Sequence, residues 1–99
     1  MLIVLARYTV ASGWEETVSV ALREMESRSR AEPGCLEYRV YRSVEGPSLF
    51  MLFEVYANQA AYDAHRGAAY FRELVEGIIA PHLLAREREY YTPLTPWPD

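Results

Sequence analysis

The chain has 99 residues, with ten arginines, fourteen acidic residues and a formal net charge of -4. That length makes one domain with a modest buried fraction, and the acidic balance argues against a nucleic-acid backbone as the main partner. Every basic residue is arginine, so lysine Schiff-base and lysine general-base chemistry are excluded, and the single cysteine, Cys35, excludes an intrachain disulfide and leaves little basis for a cysteine zinc site.

Half of the residues are apolar (51%) and 24% are charged, which is globular rather than disordered composition. Leu2 to Val10 is rich in aliphatic and β-branched side chains and reads as a strand. No basic segment precedes it and Arg7 interrupts it, so it does not read as a signal peptide. No apolar stretch is long enough to span a bilayer, and a cytoplasmic address is the default expectation. Ser12 to Glu15 has capping-box spacing for a helix from about Gly13 to Ala31. That helix places Val18, Ala21, Leu22 and Met25 on one face, while Glu15, Glu16, Glu24 and Glu26 read as solvated. Glu32-Pro33-Gly34 stops it.

Cys35 to Ser43 and Leu49 to Tyr56 read as strands joined through the turn Glu45 to Ser48. Asn58 is placed to N-cap a helix to about Arg66, Gly67 marks a break, and a second helical piece runs from Ala68 to about Ile79. Leu84 to Thr92 reads as a fourth strand. Residues 1–92 therefore form the domain, and 93–99 an extended proline-rich tail. The order β-α-β-β-α-β predicts an α+β, ferredoxin-like fold: a four-stranded antiparallel sheet with helices on one face.

The third strand puts apolar groups on both faces. Leu49, Met51, Phe53 and Val55 would leave a contiguous patch in water once the helices cover the other side. A second copy of the sheet is the simplest cover, so a two-fold homodimer is expected, with the tail lying across the partner and Trp97 as an anchor.

Two segments carry a resemblance. EPGCLEYRVYRS, Glu32 to Ser43, and LFMLFEVYANQAAYDAH, Leu49 to His65, resemble segments of the antibiotic biosynthesis monooxygenase (ABM) family, with Glu54, Tyr56, the pair Ala60-Ala61 and His65 as marks. The pair Tyr70-Phe71 stands where many members carry His-Phe, which removes one acid–base group. The resemblance implies a dimeric α/β barrel with a pocket between helices and sheet in each subunit. It also implies oxidation of a phenolic, quinol or anthrone-type molecule by O₂ without flavin or metal, although other members degrade haem or isomerise a phosphorylated sugar.

The residues that could carry such chemistry are few. Glu54 and Tyr56 share a strand face with Phe50 and Leu52, and Tyr62 and His65 share a helix face. If those faces meet, His65 is the expected proton acceptor, with Tyr56, Tyr62 and Glu54 as partners. Phe50, Leu52, Tyr70, Phe71 and Arg39 would line the substrate site. No cofactor and no metal are expected, since phosphate-loop, dinucleotide and metal spacings are missing. Plainer readings stand beside these: His65 as a buried structural residue, the tyrosines as core aromatics, Glu54 paired with Arg39 or Arg7, His82 as a loop histidine, and Cys35 as a small buried hydrophobe. An isomerase of a phosphorylated sugar would want Arg39, Arg42 or Arg66 pointing inward. A non-catalytic small-molecule-binding stress dimer would have its pocket closed by Tyr and Phe side chains.

Overall fold

A computed structural model describes residues 1–97; Pro98 and Asp99, the end of the expected extended tail, lie outside the described residues. In chain order the elements are β1 (Leu2–Val10), α1 (Glu15–Arg30), β2 (Cys35–Arg42), β3 (Leu49–Tyr56), α2 (Gln59–Gly67), α3 (Ala69–Phe71) and β4 (Leu83–Tyr91). The short α3 widens into a π-helical stretch, Arg72–Ile79, and a 3₁₀ turn, Ala80–His82, leads into β4. All strand pairs are antiparallel, in the order β2-β3-β1-β4, which is the ferredoxin-like α+β plan.

The period-two pattern of β1 and β3 sorts the two sheet faces. Val4 pairs with Glu54, Ala6 with Leu52 and Tyr8 with Phe50, and all six side chains are buried on the inner face. The helical layer supplies the other half of the core. Val18, Ala21, Leu22 and Met25 come from α1, and Phe71, Val75 and Ile79, spaced four apart, come from the second helical segment.

The capping box is not formed. Helix α1 begins at Glu15, with Trp14 as an N-cap residue that makes no side-chain cap. Gly13, at φ 91°, turns the chain just before the helix and leaves Ser12 too far out to cap it. Glu15 instead accepts from Gly13 N at 2.8 Å and from Ser48 Oγ at 2.6 Å. Glu26 also departs from the solvated face, because it accepts from Val40 N at 2.9 Å and so ties α1 to β2. His82 stacks on Trp14 with ring centroids 3.7 Å apart. Cys35 is buried, and burial pushes its thiol up to about 12, which makes it an inert group.

The close approach that matters for the site is at Gly34. A Cβ there would stand 2.4 Å from Ala61 Cβ, so glycine lets α2 dock against the start of β2. The Gly34 carbonyl accepts from Ala57 N at 2.9 Å and holds the end of β3 in the same place.

The outer sheet face carries Ile3, Leu5, Met51 and Phe53, all half-buried, with Leu49, Tyr41 and Tyr91 exposed around them. Val55 on this face is already buried within the chain. In the tail, Thr92 Oγ1 donates to the Met1 carbonyl at 3.4 Å, and Trp97 remains exposed beside a groove of about 310 Å³. Among the described residues no helix is long and apolar enough to cross a membrane.

Candidate active site

The period-two geometry of β3 points Glu54 and Tyr56 to the inner face, where the Tyr56 hydroxyl donates to Glu54 Oε1 at 2.6 Å. Above them lies α2. The Asn58 side chain accepts from Ala61 N at 2.9 Å and sets the start of the helix, which directs Tyr62 and His65 down onto the strand. The His65 ring is 1% exposed and sits among aromatic rings, with centroids at 5.3 Å for Tyr56, 5.3 Å for Phe71, 5.7 Å for Tyr38 and 6.2 Å for Tyr70.

Each imidazole nitrogen faces a carboxyl group. Nδ1 lies 2.8 Å from Glu32 Oε2, and Nε2 lies 4.0 Å from Glu54 Oε1. A carboxylate only accepts, so the neutral ring carries its proton on Nδ1 and presents the Nε2 lone pair toward Glu54. The Tyr70 hydroxyl donates to the same Glu32 oxygen and lies 3.4 Å from Ser29 Oγ. Tyr62 completes the cluster on the side of β4, where its hydroxyl meets that of Tyr90 at 3.2 Å.

Burial dominates the electrostatics. It pushes the Glu54 carboxyl up to about 7, against the Tyr56 hydrogen bond and the charges of Arg88 and Arg66, which pull the other way. It lowers the His65 pKa, with the Glu32 interaction opposing and Arg66 and Arg88 adding to the fall. The phenols of Tyr56, Tyr62 and Tyr70 are all raised, burial being the largest cause in each case. Near neutral pH the site therefore offers a neutral imidazole beside a carboxyl group that is close to half protonated, enclosed by neutral phenols.

The structure brings together Glu54, Tyr56, Tyr62, His65, Tyr70 and Phe71. Leu52 lies in the core one inner-face position along β3. Phe50 lies a further position away, at the opposite end of the strand. It lines a groove of about 470 Å³ with Tyr8, Arg42 and Met51, under the Arg42 guanidinium. Arg39 is on the outer sheet face, opposite Phe53, and its Nε donates to Glu37 Oε1 at 3.0 Å. The cross-strand pairings considered for Glu54 are not made: Arg39 takes Glu37, and Arg7 takes Glu89. Both arginines point away from the inner face because the strand alternation that turns Glu54 inward turns them outward.

Glu32, Tyr38, Arg88 and Tyr90 belong to the site and escaped the reading of the sequence. Glu32 reads locally as part of a helix stop. The only signal was its place at the head of the segment EPGCLEYRVYRS. Tyr38 joins through the β2–β3 register, which pairs it with Glu54, and Arg88 and Tyr90 through the inward positions of β4. Among the described residues no three His, Cys, Asp or Glu side chains are grouped closely enough to hold a metal ion.

The model of the family described as antibiotic biosynthesis monooxygenase matches residues 1–77. A Synechocystis protein, sll1783, is 40% identical over 75 residues, which are 76% of this chain and 49% of that protein. The Mycobacterium tuberculosis protein Rv0793, whose name describes it as a monooxygenase, is 35% identical over 68 residues, 69% of this chain and 66% of that protein. The chain thus spans about half the length of the first relative and just under two thirds of the second. The solved structure of Rv0793 superposes with a TM-score of 0.88 over 96% of each chain, at 26% identity. A Bacteroides thetaiotaomicron structure of the same family name does so with a TM-score of 0.89 over 99% of this chain and 93% of that one, at 28% identity.

Proposed function

Because the chain belongs to the antibiotic biosynthesis monooxygenase family, we propose that it is a monooxygenase that oxidises a phenolic, quinol or anthrone-type small molecule with O₂ and draws on its own side chains alone. The observation that carries this reading is the buried imidazole held between Glu32 and Glu54 inside a ring of aromatic side chains. Activation of O₂ by an organic substrate needs that substrate as an electron-rich anion, and a base in a water-poor pocket generates one.

In the proposed sequence His65 Nε2 takes the acidic proton of the substrate, and Glu32 steadies the imidazolium through Nδ1. Tyr62 donates to the developing phenolate, where a preorganised hydroxyl in a low-dielectric site is most effective, and Tyr56, whose proton is committed to Glu54, does so only by giving up that bond. The anion passes an electron to O₂, and the two radicals combine at carbon to give a peroxide. For an anthrone-type methylene, loss of the second hydrogen with cleavage of the O–O bond leaves a carbonyl and releases water. One oxygen atom of O₂ enters the product, the other becomes water, and the substrate supplies all the electrons. Glu54, close to half protonated near neutrality, is suited to deliver the proton that the departing oxygen needs. Oxygen uptake with a panel of anthrones and hydroquinones, with ¹⁸O₂ followed into the product, tests this. His65→Ala is expected to lose about 10²–10⁴ in rate, and full activity in that variant removes His65 from the mechanism.

One observation favours a second reading. His65, Tyr56 and Tyr38 are each 1% exposed or less, and the surface cavities lie elsewhere, lined by no residue of the cluster. A pocket filled by its own aromatic side chains also suits a non-catalytic dimer that binds a small molecule. Lack of uptake across the whole panel, with binding retained, favours that alternative. The sugar-phosphate isomerase has less support, because Arg39 faces outward and Arg42 is engaged with the Pro47 carbonyl at 2.6 Å, and the one arginine of the three that flanks the site, Arg66, lies against the aromatic rings of Tyr62 and Phe71.

A further inference from the structure

Among the described residues, six of the ten arginines have a carboxylate partner and two more donate to backbone carbonyls; the remaining two flank the candidate site. Arg7, Arg23, Arg28, Arg30, Arg39 and Arg86 each have a carboxylate within 4.0 Å. Arg42 and Arg72 donate to backbone carbonyls of Pro47 and Gly67. Among the described residues, Arg66 and Arg88 have neither kind of partner; Arg66 is exposed, and Arg88 is hydrogen-bonded to the neutral Tyr8 hydroxyl. The Arg66 guanidinium lies 5.8 Å from the ring centres of both Tyr62 and Phe71. Arg88 occupies the inward position of β4 next to Tyr90 and is partly buried.

A partly buried guanidinium without a counter-ion is costly, and it is uncommon where nothing is bound. The neighbours that act on Arg88 are the phenols of Tyr8, Tyr62 and Tyr90, followed by Glu54. Phenols do not balance a cation near neutral pH, and Glu54 does so only in part. Both arginines in turn act on Tyr62, His65 and Glu54, so their charges converge on the same small volume. On the β4 side the cluster ends at Tyr90, which is 52% exposed although its hydroxyl meets that of Tyr62.

We propose that Arg66 and Arg88 form an oxyanion-binding subsite at the solvent-facing edge of the candidate site, between α2 and β4, and that the substrate is an acidic aromatic compound whose anionic group is held there while its hydroxylated ring reaches toward His65. Guanidinium groups suit a carboxylate or phosphate through paired N–H donors. The rings of Tyr62, Phe71 and Tyr90 suit a flat aromatic body rather than a sugar. The inference rests on the oxygenase reading for the role of the ring, but the anion subsite stands on the placement beside Tyr62 of two arginines that lack a carboxylate partner.

Calorimetric titration of the full chain with three probes tests it: 2,5-dihydroxybenzoate, its neutral analogue 2,5-dihydroxybenzamide, and ribose 5-phosphate. The acid is expected to bind about ten- to a hundred-fold more tightly than the amide, the range for one hydrogen bond to a charged group. Arg88→Gln and, at a helix position that leaves the core intact, Arg66→Gln should each shrink that ratio, while Arg23→Gln leaves it unchanged. Equal binding of acid and amide, no binding of the acid, or a ratio that survives both substitutions overturns the subsite. Tighter binding of ribose 5-phosphate than of the acid overturns the aromatic substrate class. Oxygen uptake measured on the same samples is a separate readout. Charge-selective binding without uptake counts against the oxygenase reading and leaves the subsite intact.

Discussion

His65 Nδ1 and Glu32 Oε2 lie 2.8 Å apart and join residues 33 positions apart in the chain. The contact exists because Gly34 lets α2 settle on the start of β2, which brings the α1–β2 connection beneath the helix that carries His65. Glu32 thereby selects the tautomer in which Nε2 is the base. Glu32→Gln is expected to lower kcat/KM by less than the loss in His65→Ala, and to move the pH limb of His65 to lower pH, since Glu32 now raises that pKa. A steady-state pH profile reads both effects. An unmoved limb with an unchanged rate would remove Glu32 from the mechanism.

The two titrating groups set a narrow working range. The His65 pKa is lowered from 6.5, so kcat/KM should rise with pH through an apparent value below that. Glu54 acts in its protonated form, so the rate should fall again through about 7. These values belong to the interacting pair, whose nearest atoms are 4.0 Å apart. In Glu54→Gln the falling limb should disappear. A falling limb that persists in this variant counts against Glu54 as the proton donor.

The same burial has a cost in stability. The pKa of Glu54 is 4.5 as the ordinary value and about 7 in the fold, so the folded state favours the proton. The contribution of this group to stability is fully present below about 4.5 and is lost as pH rises toward 7, by roughly 3 kcal/mol. Glu54→Gln keeps an acceptor for Tyr56 without that loss. Urea unfolding at pH 8 should find the variant more stable than the wild type, with the advantage gone near pH 4. Equal stability at pH 8 would show that the carboxylate is not strained there.

Gly34→Ala should destabilise the protein by about 1–3 kcal/mol, the usual cost of overpacking, because the new methyl would meet Ala61 at 2.4 Å. As α2 is pushed outward, the His65–Glu32 contact should lengthen. Thermal denaturation and the His65 NMR titration would follow the two consequences together.

The outer sheet face is expected to pair with a second copy through Leu49, Met51, Phe53 and their neighbours, burying more than ~1,000 Å². Phe53→Glu should yield a monomer in sedimentation, and Trp97→Ala, at the exposed end of the described tail, should weaken the pair. A wild-type monomer at micromolar concentration would sink the homodimer.

Much of the fold can be read from local pattern. β1 and β3 were bounded to the residue by their aliphatic and β-branched runs, and Asn58 announced α2, because alternation, helical spacing and caps act over a few residues. Local pattern also put Glu54 with Tyr56, and Tyr62 with His65. It misread Ser12, where one glycine in a left-handed conformation moved the helix start, and the expectation that Arg39 lines the site ran against the same alternation, which turns Arg39 to the outer face beside Glu37. The second carboxylate of the site, the aromatic roof over His65 and the two arginines without a carboxylate partner came only with the tertiary structure. Glu32 lies in the α1–β2 connection, Arg66 on α2 and Arg88 on β4, and their meeting depends on strand order, β4 register and the close approach at Gly34. The chemistry of single residues is a property of the sequence. The environment that turns one histidine into a buried base is set by long-range packing, which no local spacing encodes.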